Sequence, residues 1–276
     1  MKNEQIKKIV RDGYAKVAQQ SSCCCGPKKT CCGNGTLAED ISKKIGYNED
    51  EMKAVPEGAN LGLGCGNPTA LASLKAGETV LDLGSGAGFD AFLAAQKVGP
   101  TGKVIGVDMT PEMIDKAHQN ARKGGVSNVE FRLGEIESLP VQDNSIDAII
   151  SNCVINLVPD KAQAFREAWR VLKNGGRLMV SDIVLVKPLP LSIRNSVEAY
   201  IGCLSGAMMK QAYLNTISEA GFKEVNVVEE AAFPLDVMCN DPTAQAVLNQ
   251  PNVSQEEIDA AASAVLSIKV SARKEV

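Results

Sequence analysis

A chain of 276 residues with a single histidine, His118, has too little imidazole for most general-base or zinc-hydrolase schemes. His118 stands with Lys116 and Arg122 in a helical stretch and reads as part of a solvated helix face. Aromatic residues make up 4% of the chain, and the net charge of −4 with a pI near 5.3 offers no basic stripe. Both absences argue against a nucleic-acid groove. A long apolar run is also missing from Met1 to Arg11, so neither a signal peptide nor a membrane span is expected there, and the expected compartment is the cytoplasm. Internal repeats and flexible interdomain linkers are absent too, and a monomer is the favoured state. What remains, with 45% hydrophobic residues, is enough to bury a sizeable core.

The chain is organised around Val80-Leu81-Asp82-Leu83-Gly84-Ser85-Gly86-Ala87-Gly88-Phe89-Asp90. Its apolar residues before Gly84 fit a strand covered on both faces, and the glycines let the backbone turn tightly under a closely approaching ligand. A dinucleotide fingerprint places a small residue where Phe89 stands, counting from Gly84 and Gly86. The shorter spacing, with Asp82 two residues before the first glycine, resembles instead the first motif of S-adenosylmethionine-dependent methyltransferases. A carboxylate there suits a sulfonium ligand that carries an ammonium group and repels a pyrophosphate. About 20 residues on, Lys103 to Asp108 reads as a second strand that ends in the acid for ribose hydroxyls.

Along the chain, Glu4 to Gln19 has apolar residues at helical spacing and is expected to pack on the main domain. A Gly/Pro/Ser loop follows, in which Cys23, Cys24, Cys25, Cys31 and Cys32 crowd into ten residues. Thr36 to Glu39 forms a capping box for a short helix, Asn48 and Pro56 bracket another, and Asn67-Pro68 opens one to Leu74. Cys65 sits between them on a glycine-flanked loop. Strands at Val80–Leu83, Lys103–Asp108, Val129–Leu133, Ile146–Ser151 and Arg177–Asp182 alternate with helices at Asp90–Lys97, Pro111–Lys123 and Asp160–Lys173, as if strand, helix, strand repeated four times. Asn174-Gly175-Gly176 is expected to stop the last of these helices. Such alternation predicts an α/β fold with a doubly wound, mostly parallel sheet whose ligands bind at the carboxyl ends of the strands. Gly84, Asp108, Glu135 and Cys153 fall at those ends. Leu191–Met209 and Gln211–Ala220 read as helices, Lys223–Val228 and Ser267–Ala272 as strands, with helices inserted between Asp236 and Val265. The expected division is residues 1–75 as N-terminal helices and cysteine-rich loop, 76–186 as the cofactor-binding core, and 187–276 as substrate-covering helices with the final strands.

Methyl transfer needs a lone pair aimed at the methyl from the side opposite sulfur, and oxygen or nitrogen nucleophiles usually need a base as well. Here bases are scarce and cysteines stand in glycine-rich or sheet-end loops, which suits a thiophilic element with its own lone pair. Ser151-Asn152-Cys153-Val154-Ile155-Asn156-Leu157-Val158-Pro159-Asp160-Lys161, Asp82-Leu83-Gly84-Ser85-Gly86, Gly64-Cys65-Gly66 and Gly202-Cys203-Leu204-Ser205-Gly206-Ala207 are together similar to the arsenite S-adenosylmethionine methyltransferases, over about Tyr14 to Ala220.

That resemblance implies a seven-stranded class I sheet with its last strand antiparallel, and arsenic(III) held by the thiolates of Cys65, Cys153 and Cys203. It implies S-adenosylmethionine held by Asp82, Gly84, Ser85, Gly86, Asp108, Met109, Glu135, Ile136 and Asn152, with Met109 and Ile136 flanking the adenine. It further implies arsenite or its thiol conjugates as substrate, a thiol reductant of the glutathione or thioredoxin type as co-substrate, and a fourth cysteine near the N-terminus that forms a transient disulfide with Cys65. Cys23, Cys24, Cys25 and Cys31 compete with Cys32 for that part, and spacing favours Cys32. The residues leave two other readings open: a methyltransferase for a small organic nucleophile with incidental cysteines, and a thiol-rich metalloid-binding protein on the same fold. Cys239 reads as structural or incidental, and Trp169 as core packing.

Overall fold

The structure is a computed structural model that describes residues 3–20, 37–68, 72–194, 204, 206–233 and 254–275. Cys203, the five cysteines from Cys23 to Cys32, and Cys239 lie outside the described residues, as do Thr36 and residues 69–71 of the expected Asn67-to-Leu74 helix.

Three helices precede the sheet: α1 (Asn3–Gln20), α2 (Leu37–Lys44) and α3 (Glu49–Ala54). The sheet and its helices then run β1 (Thr79–Leu83), α4 (Phe89–Val98), β2 (Lys103–Asp108), α5 (Pro111–Gly124), β3 (Val129–Leu133), β4 (Ile146–Asn152), α6 (Lys161–Val171), β5 (Leu172–Leu185), α7 (Leu191–Arg194), α8 (Lys210–Glu219), β6 (Lys223–Ala232), α9 (Gln255–Ala262) and β7 (Val265–Arg273). Seven strands pair in the order β3-β2-β1-β4-β5-β7-β6; β1 to β5 are parallel and β7 is antiparallel to both its neighbours. This is the seven-stranded class I architecture the resemblance implies.

Both faces of the central strands are covered. Val80 of β1 and Ile150 of β4 pack with Phe92 and Ala95 of α4. Leu81, Leu83 and Ile149 face the other way, onto Phe165 and Ala168 of α6 and Tyr213 of α8. Opposite burial of successive residues explains why these strands read as unbroken apolar runs. Helix ends follow local chemistry: Asn48 and Glu51 form a reciprocal capping box at α3, and α5 has Pro111 at its start and Gly125 in the left-handed region after its end.

Three expectations are corrected. No helix joins β3 to β4; Gly134 to Ser145 makes turns tied by a Glu135–Ser138 bridge, so strand-helix-strand occurs three times in this region. Helix α6 ends at Val171, where the Lys274 ammonium reaches the carbonyls of Trp169 and Leu172 at 2.8 Å each. Asn174-Gly175-Gly176 therefore lies within β5 at a register shift against β4, with Gly175 N–H donating to Lys274 O at 2.8 Å. Finally, the expected helix does not run through to Met209: Leu191–Arg194 is helical, but Met208 O accepts the Leu185 N–H at 2.8 Å and Met209 bridges to Leu185. Among the described residues, no helix is long and apolar enough to cross a membrane.

Helix α1 packs beside the carboxyl ends of the strands. Its fully buried Val10 faces inward, Lys7 pairs with Glu135 at 2.6 Å and Glu137 at 3.0 Å, and Lys116 donates to Ala18 O at 3.1 Å.

Candidate active site

Strand order reverses between β1 and β4, the point at which open α/β sheets bind ligands. The turn after β1 is built for such a ligand. Gly84 (φ +67°) admits no side chain, since a Cβ there would lie 2.4 Å from Val154 Cγ2. Gly86 (φ +51°) faces open space. Asp108 holds the turn in place, its Oδ2 accepting the Gly86 N–H at 3.0 Å and its Oδ1 the Thr110 N–H at 2.8 Å. Ser85, Met109, Gly134 and Ile136 continue the cleft wall, with Val10 and Tyr14 of α1 across from them.

Three carboxylates converge on this turn. Asp82 is 2% exposed, and its Oδ2 has no hydrogen-bond partner among the described residues. Burial, then the nearby Asp90 and Asp108, push its pKa well above the ordinary value. Asp90 is pushed to about 6 by burial, against the hydrogen bonds it accepts from Tyr47 Oη (2.7 Å) and Asn152 Nδ2 (3.1 Å). A buried, unpartnered oxygen amid like charges is complementary to a cationic group and hostile to a phosphate. The chain thus fits an ammonium- and sulfonium-bearing ligand.

Of the expected cofactor residues, Glu135 stands apart. Its carboxylate turns to Lys7 and, at 3.6 Å, Arg11 of α1, while its neighbour Glu137 lines the cleft. Asn152 serves as a clamp: its Oδ1 accepts the Cys65 N–H at 3.0 Å, and its Nδ2 lies within hydrogen-bond reach of Gly66 O (2.8 Å), Tyr47 Oη (2.9 Å) and Asp90 Oδ2.

That clamp carries the Cys65 loop onto the sheet ends. Close approach explains the flanking glycines, because a Cβ on Gly64 would sit 2.7 Å from Asn152 Nδ2 and one on Gly66 2.1 Å from Ser181 Oγ. Ser267 of β7 donates its hydroxyl to Cys65 O at 2.7 Å. Cys153, immediately after β4, adopts φ +58°, a left-handed conformation costly for any residue with a side chain, and its N–H donates to Ser181 O at 2.8 Å. The two segments bring together the Cys65 and Cys153 sulfurs and a carboxylate oxygen of Asp182, all within 4.8 Å of one another and all buried. Leu204, next in sequence to Cys203, is buried in the same apolar cluster as both cysteines.

Sequence reasoning missed Tyr47, Asp90 as an acid of the site, and Asp182. Asp182 carried a usable signal, being an acid near the carboxyl end of a central strand like Asp108. Tyr47 carried none. His118 is exposed and edge-on to Phe131 at 5.8 Å, as its helix pattern suggests.

Fold and cleft define the S-adenosylmethionine-dependent methyltransferase class, and residues 74–221 match the family model described as a methyltransferase domain. An arsenite methyltransferase of Halobacterium salinarum is 48% identical over 231 residues, 81% of this chain and 59% of that protein. One of Aquipseudomonas alcaligenes is 38% identical over 230 residues, 80% and 63% of the two chains. Among solved structures, an arsenic(III) S-adenosylmethionine methyltransferase from Chlamydomonas reinhardtii superposes with a TM-score of 0.63 at 31% identity, covering 88% of this chain and 75% of that one. The chain belongs to the arsenite S-adenosylmethionine methyltransferase family. It spans about three-fifths of the length of the curated relatives it matches.

Proposed function

We propose that this chain moves the methyl group of S-adenosylmethionine to trivalent arsenic held by the thiolates of Cys65, Cys153 and Cys203, an arsenite detoxification in the cytoplasm. The observation that carries the reading is the convergence of the Cys65 and Cys153 sulfurs beside the acidic glycine-turn cleft.

S-adenosylmethionine supplies an electrophilic methyl on a sulfonium sulfur. Asp82 would hold its ammonium group, Asp108 its ribose, and Met109 with Ile136 its adenine, while Gly84 and Gly86 keep side chains out of the space it needs. Soft thiolates select soft centres over hard cations. Each thiol that replaces an arsenic-bound hydroxyl gives its proton to the departing water, so capture needs no separate base. Three sulfurs leave arsenic its lone pair and direct it into the cleft, and the buried wall around Cys65 and Cys153 excludes water. Catalysis is then mainly positioning. Donation of the lone pair raises arsenic from the +3 to the +5 oxidation state, a formal loss of two electrons. A dithiol, Cys65 with an N-terminal cysteine for which Cys32 is the candidate, would return those electrons, and a glutathione- or thioredoxin-type thiol would then reduce the resulting disulfide.

The test is arsenite-dependent release of S-adenosylhomocysteine, with speciation of the arsenic products, for the parent chain and for Cys65→Ser, Cys153→Ser and Cys203→Ser. Each change abolishes turnover and leaves binding of S-adenosylhomocysteine intact. Full arsenite turnover by any one of them sinks the three-thiolate site.

A further inference from the structure

Asp182 is a carboxylate for which arsenic capture by three sulfurs has no use. It is 1% exposed, yet one of its oxygens lies within 4.8 Å of both cysteine sulfurs. Its orientation is set from outside the cluster: Asn156 Nδ2 (2.8 Å) and the Ile183 N–H (3.0 Å) donate to Oδ1, and Tyr213 Oη (3.0 Å) donates to Oδ2. An ionised carboxylate has about four acceptor positions, so Oδ2, with one donor, keeps a lone pair. Donors of this kind, placed behind a carboxylate, are what orient ligands in metal sites.

We propose that Cys65, Cys153 and Asp182 form a site for a borderline-soft divalent cation of the zinc and cadmium class. The donor set is two sulfurs and one oxygen. Tetrahedral zinc sites have ligand bonds of about 2.0 to 2.3 Å, which sets ligand atoms roughly 3.3 to 3.8 Å apart. The cluster needs only to tighten slightly to reach that spacing. Three anionic ligands balance a double positive charge in a buried place far better than they balance nothing, and a carboxylate is an ordinary ligand for such a cation. Binding releases the two thiol protons, together with the proton Asp182 carries when its carboxyl is not ionised, to solvent and involves no electron transfer. The fourth position is left to solvent or to another ligand. The proposal shares two cysteines with the arsenic reading but stands without it, because the third ligand differs: Asp182 for the cation, Cys203 for arsenic. Its consequence is competition, since an ion of this class occupies two of the sulfurs arsenite needs.

The test uses the reduced full chain with Cys23, Cys24, Cys25, Cys31 and Cys32 changed to serine, which silences the N-terminal thiols. Cadmium and arsenite are titrated separately, with no cofactor present. One equivalent of cadmium binds the parent. Asp182→Asn weakens cadmium at least tenfold and arsenite by at most about threefold, whereas Cys203→Ser does the reverse. Cys65→Ser weakens both. Cadmium affinity that follows Cys203 and ignores Asp182 overturns the proposal, as does the absence of stoichiometric binding. A loss of arsenite response to Cys65→Ser counts against the arsenic reading alone. Should Asp182→Asn fail to fold, the cadmium-113 resonance of the parent decides: a two-sulfur, oxygen-containing environment upholds the site and a three-sulfur one overturns it.

Discussion

The side-chain oxygen of Asn152 accepts the backbone N–H of Cys65 at 3.0 Å, across 87 positions of sequence. One amide thereby ties the first cysteine loop to the strand that delivers the second. Losing it leaves the Cys65 N–H and the Gly66 carbonyl without this partner, and an unmet buried group costs about 1 to 3 kcal/mol. Asn152→Ala is expected to lower thermal stability by that amount and to weaken arsenite binding about tenfold or more. Parallel titrations with arsenite and with S-adenosylhomocysteine check it; equal arsenite affinity in parent and variant removes the clamp from the account.

Gly84 and Gly86 share a left-handed conformation but differ in what stands over them. Alanine at Gly84 must push Val154 aside, next to Cys153, and adds overpacking of about 1 to 3 kcal/mol to the backbone strain. Alanine at Gly86 meets no protein atom within 4 Å and carries mainly a strain of about 1 to 2 kcal/mol. Its methyl projects into space assigned to the cofactor. Gly84→Ala is therefore the less stable of the two, whereas Gly86→Ala loses at least tenfold in S-adenosylhomocysteine affinity, read by melting curves and calorimetric titration. A Gly86→Ala protein with parental cofactor affinity contradicts the placement.

How much of this was legible beforehand depends on range. The glycine turn, Asp82 and Asp108 are local chemistry within a strand-turn-helix unit, and Val129–Leu133 is a strand at the expected residues because its pattern is local as well. Asn48 as the start of a short helix was readable for the same reason. What escaped were tertiary decisions. Gly175-Gly176 looks like a helix stop, but Lys274, about a hundred residues away, ends the helix and pairs across the glycines. Glu135 looks like a cofactor acid until α1 supplies Lys7 and Arg11. Tyr47 enters through a contact with Asp90 that no spacing announces.

Burial pushes the Asp182 carboxyl from the ordinary 3.8 up to about 7. The folded state therefore holds a proton that the unfolded chain has lost between these values, so stability falls as pH rises through that window and the full contribution is present only below about 4. At about 1.4 kcal/mol per unit, the loss is of order 4 kcal/mol. Asp182→Asn removes this component while the falls from Asp82, Asp90 and Asp108, whose carboxyls burial also pushes up, remain. Melting temperatures at pH 5 and pH 8, with metal excluded, are expected to differ clearly less in the variant than in the parent; equal differences refute the assignment.

Cys153 holds its left-handed backbone against the preference of any residue with a Cβ. An L side chain there costs about 1 to 2 kcal/mol relative to a conformation of the usual hand. Glycine escapes most of that cost but loses more entropy on folding, about 0.5 to 1 kcal/mol relative to alanine in regular structure. In most buried positions alanine is the better replacement. Here the order is expected to invert: Cys153→Gly is at least as stable as Cys153→Ala, by up to about 1 kcal/mol, although it has fewer atoms to pack. Neither variant captures arsenite. Chemical denaturation of the two proteins under identical conditions reads the difference directly, and a clearly more stable alanine variant shows that the strain at Cys153 is not a feature of the folded protein.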